Sequence, residues 1–196
     1  MRRSFTAPKG KTLFRPGEAC PGFLILEEGT IRVTLTGASG REVVLYRVTP
    51  GEVCLQTFSC LVSNEPYGAE GVVESDLVGE LVPAGQFREK FAEDTAFRER
   101  VMGSVAARFV EYQKLVEDVA LTGFDARLSK ALLRMTDTSG KVSATHSDLA
   151  RETASGRAYV SRRLAAFARD GLVRQADDGI EILNREELQR IAADSR

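Results

Sequence analysis

Residues 145–173 read THSDLARETASGRAYVSRRLAAFARDGLV. Thr145, with Asp148 three positions later, has the form of a capping box that starts a short helix. Ala154, Ser155 and Gly156 make a tight turn. A longer helix is expected from about Arg157 to Asp170, ended by Gly171. Within it Val160, Leu164 and Phe167 lie at i, i+4 and i+7, so one face packs inward while Arg157, Ser161 and Arg162 point elsewhere. This is helix-turn-helix spacing, and the face left outside is basic.

Charge follows the same pattern. Residues 145–175 hold six arginines against Asp148, Glu152 and Asp170, a balance of +3; the chain's net charge of −1 leaves −4 for everything else. A solvated arginine face is the plain reading of charge alone, but together with the turn spacing it points to contact with DNA. Beyond it, VRQADDGIEILN (173–184) reads as a hairpin turning at Asp178 and Gly179, the wing of a winged helix. REELQRIA follows as a last helix capped by Asn184. Upstream, FDARLSKALLRM (124–135) is a helix that starts after a break at Thr122 and Gly123, and DTSGK (137–141) is a polar connection.

From Thr95 to Leu121 there is no proline and one glycine, Gly103. A continuous helix of about 40 Å is expected there. Met102, Val105, Phe109, Tyr112, Val116 and Val119 follow steps of three and four, the spacing of a coiled-coil seam. A homodimer is the natural inference; the other reading packs the stripe on the chain's own β-domain.

Before about Val82 the periodicity is two. FLILEEGTIRVTL (23–35) and REVVLYRV (41–48) alternate apolar and polar residues as half-buried strands do. Gly17, Gly29, Gly40 and Gly51 recur every eleven or twelve residues, where a short strand ends and the chain turns with positive φ. A compact antiparallel roll or barrel fits this rhythm, as does a generic β-sandwich.

The chain has 196 residues, 43% hydrophobic and 28% charged, enough for two modest cores joined by a helix. No run approaches a membrane span and the start has no secretory core segment, so a cytoplasmic protein without membrane contact is expected. Three cysteines are too few for a disulfide framework.

A β-roll of about eighty residues, a long helix and a C-terminal winged helix-turn-helix resemble the CRP/FNR superfamily of bacterial transcription regulators. The most specific stretch is THSDLARETASGRAYVSRRL; LFRPGE, GTIRVTL and GREVVLYRVTPGE in the roll are looser matches. The resemblance implies an α+β chain of three parts: a cyclic-nucleotide-binding-like jelly roll over 1–94, a dimerisation helix over 95–121 and a DNA-binding domain over 122–196. It implies that Arg157, Ser161 and Arg162 enter the major groove, where an arginine fork reads guanine, with Tyr159 on a phosphate and Thr145 and His146 at the same surface. The family's usual glutamate after the first arginine is replaced here by Ala158. A palindromic operator, a homodimer and RNA polymerase are the implied partners. The roll begins soon after Met1, so whether the family's usual N-terminal helix is missing stays open at this point.

In cyclic-nucleotide-binding members, the stretch GEVCLQTFSCLVSNEPYGAEGV (51–72) would hold the phosphate cassette: Gly-Glu for the ribose and Arg-Ser or Arg-Thr for the phosphate. Here Leu55 and Gln56 stand near the first pair, and EPYGAE stands where the arginine is expected. Cyclic AMP is therefore not the expected effector, since no guanidinium pairs its phosphate. Cys54 and Cys60 occupy the cassette instead. Cys54 is expected to end a strand and Cys60 to lie on the turn or helix after it, within disulfide reach, which makes a thiol switch responding to oxidant or sulfane sulfur. Two buried thiols acting as small hydrophobes are the plainer reading. Cys20 is read as structural.

Other classes fit less well. An iron–sulfur cluster wants four thiolates, and the only histidine, His146, lies outside the roll, so neither cluster nor haem is expected, although a cysteine-ligated haem or a small ligand in the roll stays open. A cupin-like metalloenzyme needs several histidines inside the roll, which has none. No catalytic residues, metal ligands or cofactor are expected. A nucleotide-binding interaction module is opposed by the winged helix.

Overall fold

The computed structural model describes residues 3–38, 40–176 and 179–193. The element order is β1 (Arg3–Ala7), β2 (Thr12–Phe14), β3 (Gly22–Thr36), β4 (Glu42–Val48), α1 (Leu55–Ser63), β5 (Glu70–Pro83), α2 (Ala84–Glu93), α3 (Thr95–Leu121), α4 (Phe124–Met135), β6 (Lys141–Val142), α5 (His146–Glu152), α6 (Arg157–Arg169), β7 (Val173–Ala176), β8 (Gly179–Ile182) and α7 (Arg185–Ala193). The chain forms two units, Met1–Leu35 with Val44–Gln113, and Thr36–Val43 with Lys114–Arg196.

In the first unit, β-strands run in the order β1-β5-β3-β4, with β2 also on β5. β5 pairs antiparallel with β1, from Arg3↔Leu81 to Ala7↔Leu77, and with β3, from Gly22↔Pro83 to Thr34↔Glu70. Period-two alternation puts Tyr46 and Val48 of β4 and Ile31 and Val33 of β3 into one core, with Cys54, Tyr67, Ala69, Val73 and Leu77. A second cluster gathers Phe23, Val53, Leu61, Val82, Phe87, Phe97 and Val101, with Phe23 stacked on Phe87 at 4.6 Å. β1 and α2 were not legible in the sequence. β1 is short and gains its order from β5, and α2 buries a single residue completely, Phe87.

The glycine rhythm holds at Gly17, Gly40 and Gly51, whose φ angles are 84°, 75° and 85°. At Gly29 the expectation of a strand end is corrected: β3 runs through it. The register with β5 shifts on both sides, and Gly29 takes φ 86° at this irregularity. A Cβ there would run into the Asp76 carbonyl oxygen.

The coiled-coil stripe of α3 is divided. Val105 packs on the Phe23–Phe87 cluster, and Tyr112 lies against the roll core, its ring 5.7 Å from Tyr46 and edge-on. Met102, Phe109, Val116 and Val119 are exposed, Phe109 and Val116 by more than 60%. The expectation of one six-residue seam is therefore corrected. Residues three apart lie about 60° apart around a helix, so the roll covers one edge of the stripe and leaves the column 102, 109, 116 open.

In the second unit, α4, α5, α6 and α7 enclose Leu128, Leu132, Leu149, Val160, Leu164, Phe167 and Leu188. A three-stranded sheet, β6-β8-β7, flanks them. The pairing Ala176↔Gly179 sets the register of the expected hairpin, whose residue Asp178 lies outside the described residues. Asn184 caps α7 as expected, its side-chain oxygen accepting from Glu187 N at 3.0 Å.

Gly29→Ala is expected to lower stability by about 2 kcal/mol or more, because left-handed φ and a backbone clash act together. Gly37→Ala, whose Cβ meets its nearest neighbour at 3.6 Å, is expected to change little. Urea unfolding of both variants checks this.

Candidate nucleic-acid interface and sensor cluster

The capping box at the start of α5 is present in full: Asp148 N donates to Thr145 Oγ1 at 3.1 Å and Thr145 N to Asp148 Oδ2 at 2.9 Å. The turn that follows is held by Thr153 N on Leu149 O and Ser155 N on Ala150 O, at 3.0 and 2.9 Å. Ala154 takes φ 50°, a left-handed conformation that suits glycine better. Val160, Leu164 and Phe167 of α6 are buried, as the spacing required.

Arg157, Tyr159 and Arg162 stand exposed on α6. The Arg162 guanidinium lies 5.6 Å from the Tyr159 ring, which also contacts Phe124 at 4.5 Å. Ser161 faces differently from expectation. Its hydroxyl donates to the Arg157 carbonyl at 3.0 Å and meets His146 Nδ1 at 2.8 Å, so Nδ1 carries the proton and donates. His146 thus ties α5 to α6, and Thr145 Oγ1 is engaged in its cap. Of the six residues read as one surface, Arg157, Tyr159 and Arg162 are exposed, His146 and Ser161 join the two helices, and Thr145 caps α5.

Two partnerships had no sequence signal, because they join residues far apart in the chain. Arg163 forks onto Asp125 of α4, with Nε to Oδ1 at 2.7 Å. Arg127 donates to carbonyls of Thr122 at 2.5 Å and Thr153 at 3.2 Å, linking the end of α3 to the turn. Arg151 pairs with Asp148 and Glu42, and Arg174 with Glu181.

In the first unit, the cassette closes on itself. Gln56 Oε1 accepts from Gly68 N at 3.1 Å, Gln56 N donates to the Tyr46 hydroxyl at 3.1 Å, and Tyr67 is buried, stacked 4.4 Å from Phe14. Its start is joined to α3: Val53 N donates to Ser104 Oγ at 2.9 Å, and buried Arg108 pairs with Glu52 and Glu111. The Arg108 guanidinium also lies 5.5 Å from the Tyr46 ring.

The three thiols are free. Cys54 is fully buried as N-cap of α1, and Cys60 is 5% exposed in its second turn. Burial pushes both thiols up, Cys60 to about 11 with Cys20 adding to the effect. The expectation that Cys54 and Cys60 lie in disulfide reach is corrected. Six residues of helix rise about 9 Å, whereas bridged cysteines need Cα atoms within about 7 Å. Cys20, read from sequence as structural, joins the same cluster: its thiol donates to Gly22 O at 3.3 Å and lies 3.9 Å from Thr57 O. No group of three metal-binding side chains forms among the described residues.

A β-roll followed by a long helix and a winged helix with an arginine-bearing recognition helix defines a DNA-binding regulator. A model of the cyclic nucleotide-binding domain matches residues 5–94, and one of the Crp-like helix-turn-helix domain matches residues 126–191. The chain belongs to the CRP/FNR superfamily of transcription regulators. It is 28% identical over 190 residues to the transcriptional regulator LdrP of Thermus thermophilus, covering 93% of each chain. A CRP/FNR-family regulator from Eubacterium rectale superposes with TM-score 0.90 at 24% identity, over 98% of this chain and 90% of that one. A CRP-family regulator, also from Thermus thermophilus, gives 0.78 at 25%, over 97% of both.

Burial opposes ionisation of Asp148, but hydrogen bonds from Thr145 and the Arg151 charge outweigh it and hold its carboxyl below the usual range. A depressed carboxyl stabilises the fold above its unfolded value, about 4, and that contribution is lost as pH falls through the folded one. Thr145→Ala is expected to cost about 1 kcal/mol at pH 7 and less at pH 3, where the box is partly undone; thermal unfolding at both pH values checks this.

Proposed function

We propose that this protein is a cytoplasmic, sequence-specific transcription regulator that binds a palindromic operator as a homodimer, with its activity set through the roll at the thiol cluster that includes Cys54 and Cys60. The observation that carries the DNA reading is the pair Arg157 and Arg162, both exposed on α6, with Arg162 beside Tyr159. Each guanidinium is free to fork onto guanine O6 and N7, and Tyr159 to meet a phosphate. Ser161, held by His146, supports the helix more than it reads bases. The three-part division into roll, dimerisation helix and DNA-binding domain belongs to this reading, and RNA polymerase is a further partner.

Dimerisation is supported by the open column Met102, Phe109 and Val116, with Val119 beside it. A second copy of α3 covers it best, since the seven-residue spacing is self-complementary. Val105 and Tyr112, packed on the roll, tie this seam to the cassette. Cyclic AMP is not the effector in this reading: the cassette offers a phosphate no arginine, and its Gln56 is already bonded to Gly68 and Tyr46. Control runs instead from the thiols in and around α1, through the Glu52–Arg108 and Val53–Ser104 contacts, to α3.

Selection from a pool of random duplexes is expected to yield palindromes. Arg157→Ala and Arg162→Ala are each expected to weaken the selected site by about 1–3 kcal/mol, roughly ten- to a hundredfold, and relax base preference at one step of each half-site. Lack of any preferred sequence would overturn the DNA reading. Phe109→Glu is expected to give a monomer by sedimentation and to lose operator binding.

A further inference from the structure

We propose that Cys20 and Cys60 form an oxidisable thiol pair, served by a hydrophobic cavity, that a small organic hydroperoxide converts to a disulfide; this rests on the control reading above. Cys20 lies just before β3, and its thiol sits 3.9 Å from the carbonyl of Thr57 on α1. Cys60 is one helical turn beyond Thr57, on the same face. Cys20 packs against the core cluster that holds both Cys60 and Tyr67. A Cys20–Cys60 bond joins two separate elements, so it does not have to span the rise of α1 as a Cys54–Cys60 link would.

Access favours the same pair. A cavity of about 390 Å³ is lined by Phe14, Pro21, Leu24, Thr57 and Tyr67, among others. Pro21 follows Cys20 in the chain, and the Thr57 carbonyl lies 3.9 Å from its thiol. The walls are mostly apolar, so the oxidant that collects there carries an apolar substituent. Cys20 is partly exposed and Cys60 is buried.

The chemistry has two steps. The Cys20 sulfur attacks the terminal oxygen of ROOH and gives up its proton, the O–O bond breaks, Cys20 becomes a sulfenic acid, and the departing RO oxygen takes that proton to leave as ROH. The Cys60 sulfur then attacks the Cys20 sulfur. The S–S bond forms, the sulfenic S–O bond breaks, and its oxygen departs as water with the Cys60 proton. The peroxide is reduced by two electrons and the thiol pair is oxidised by two. The new bond ties α1 to the start of β3, and α1 begins soon after Val53, whose amide is held by Ser104 of α3.

The test is cumene hydroperoxide added to the full-length reduced protein, with peptide mass mapping and operator binding read in parallel. The expected result is a Cys20–Cys60 peptide, loss of two hydrogens per chain and reversal by dithiothreitol. Linkage is expected to be at least about tenfold faster than with hydrogen peroxide, the effect of burying the apolar body. Cys20→Ser and Cys60→Ser abolish it, and Cys54→Ala retains it. A link through Cys54, three thiols left free, a link that persists in Cys20→Ser, or equal rates with both oxidants would overturn the proposal. A Cys20–Cys60 link that leaves operator affinity unchanged supports the pair and rejects thiol control, whereas absent operator binding in the reduced protein rejects the DNA reading alone.

Discussion

Arg108 is 4% exposed on the helix that leaves the roll, where Glu52 and Glu111 flank it and Tyr46 offers a ring face. A buried guanidinium without those carboxylates is costly, so the ion pair fixes where α3 lies against the cassette. Burial opposes the ionisation of Glu52, but bonds from Thr49 and the Arg108 charge hold it below the usual carboxylate range. Around this pair, Val101 and Val105 of α3 pack on the aromatic cluster and Tyr112 on the roll core. The side of α3 turned to the roll is therefore decided by one charged residue and its apolar neighbours, and the opposite column stays exposed.

The same placement joins the two activities assigned to the chain. Ser104 and Arg108, one turn apart, hold the residues that immediately precede α1. A change in α1 thus has a short mechanical path into the helix that carries the proposed dimer seam. The cassette retains the shape of a nucleotide-binding domain without its charge pair, and Gln56 and Tyr46 use the hydrogen bonds that a ligand would otherwise claim. The roll is a joint between α1 and α3 before it is anything else.

Much of the fold was legible because it rests on local chemistry. A capping box, a glycine at a helix end and apolar residues at i, i+4 and i+7 act within a few residues, and α5, α6, α7 and the wing followed from them. The long helix was equally plain, with α3 ending at Leu121 as expected. β1 and α2 were not, since each is stabilised by distant strands or by one buried aromatic. The candidate interface was partly legible: the exposed arginines of α6 follow from periodicity, while the His146–Ser161 contact and the Arg163–Asp125 fork depend on how α4, α5 and α6 converge.

By itself the sequence determined a β-rich half, a long helix and a winged helix-turn-helix, together with a cassette that carries two thiols and no arginine, because periodicity and spacing are properties of neighbouring residues. Tertiary structure alone decided which edge of α3 stays open and which thiol lies against α1. Both outcomes depend on a helix face meeting a sheet, a three-dimensional relation that spacing along the chain does not encode. Cys54 and Cys60 are close in sequence yet separated by the rise of α1, while Cys20, forty residues before Cys60, is brought against the helix by the packing of β3 and α1 in one core.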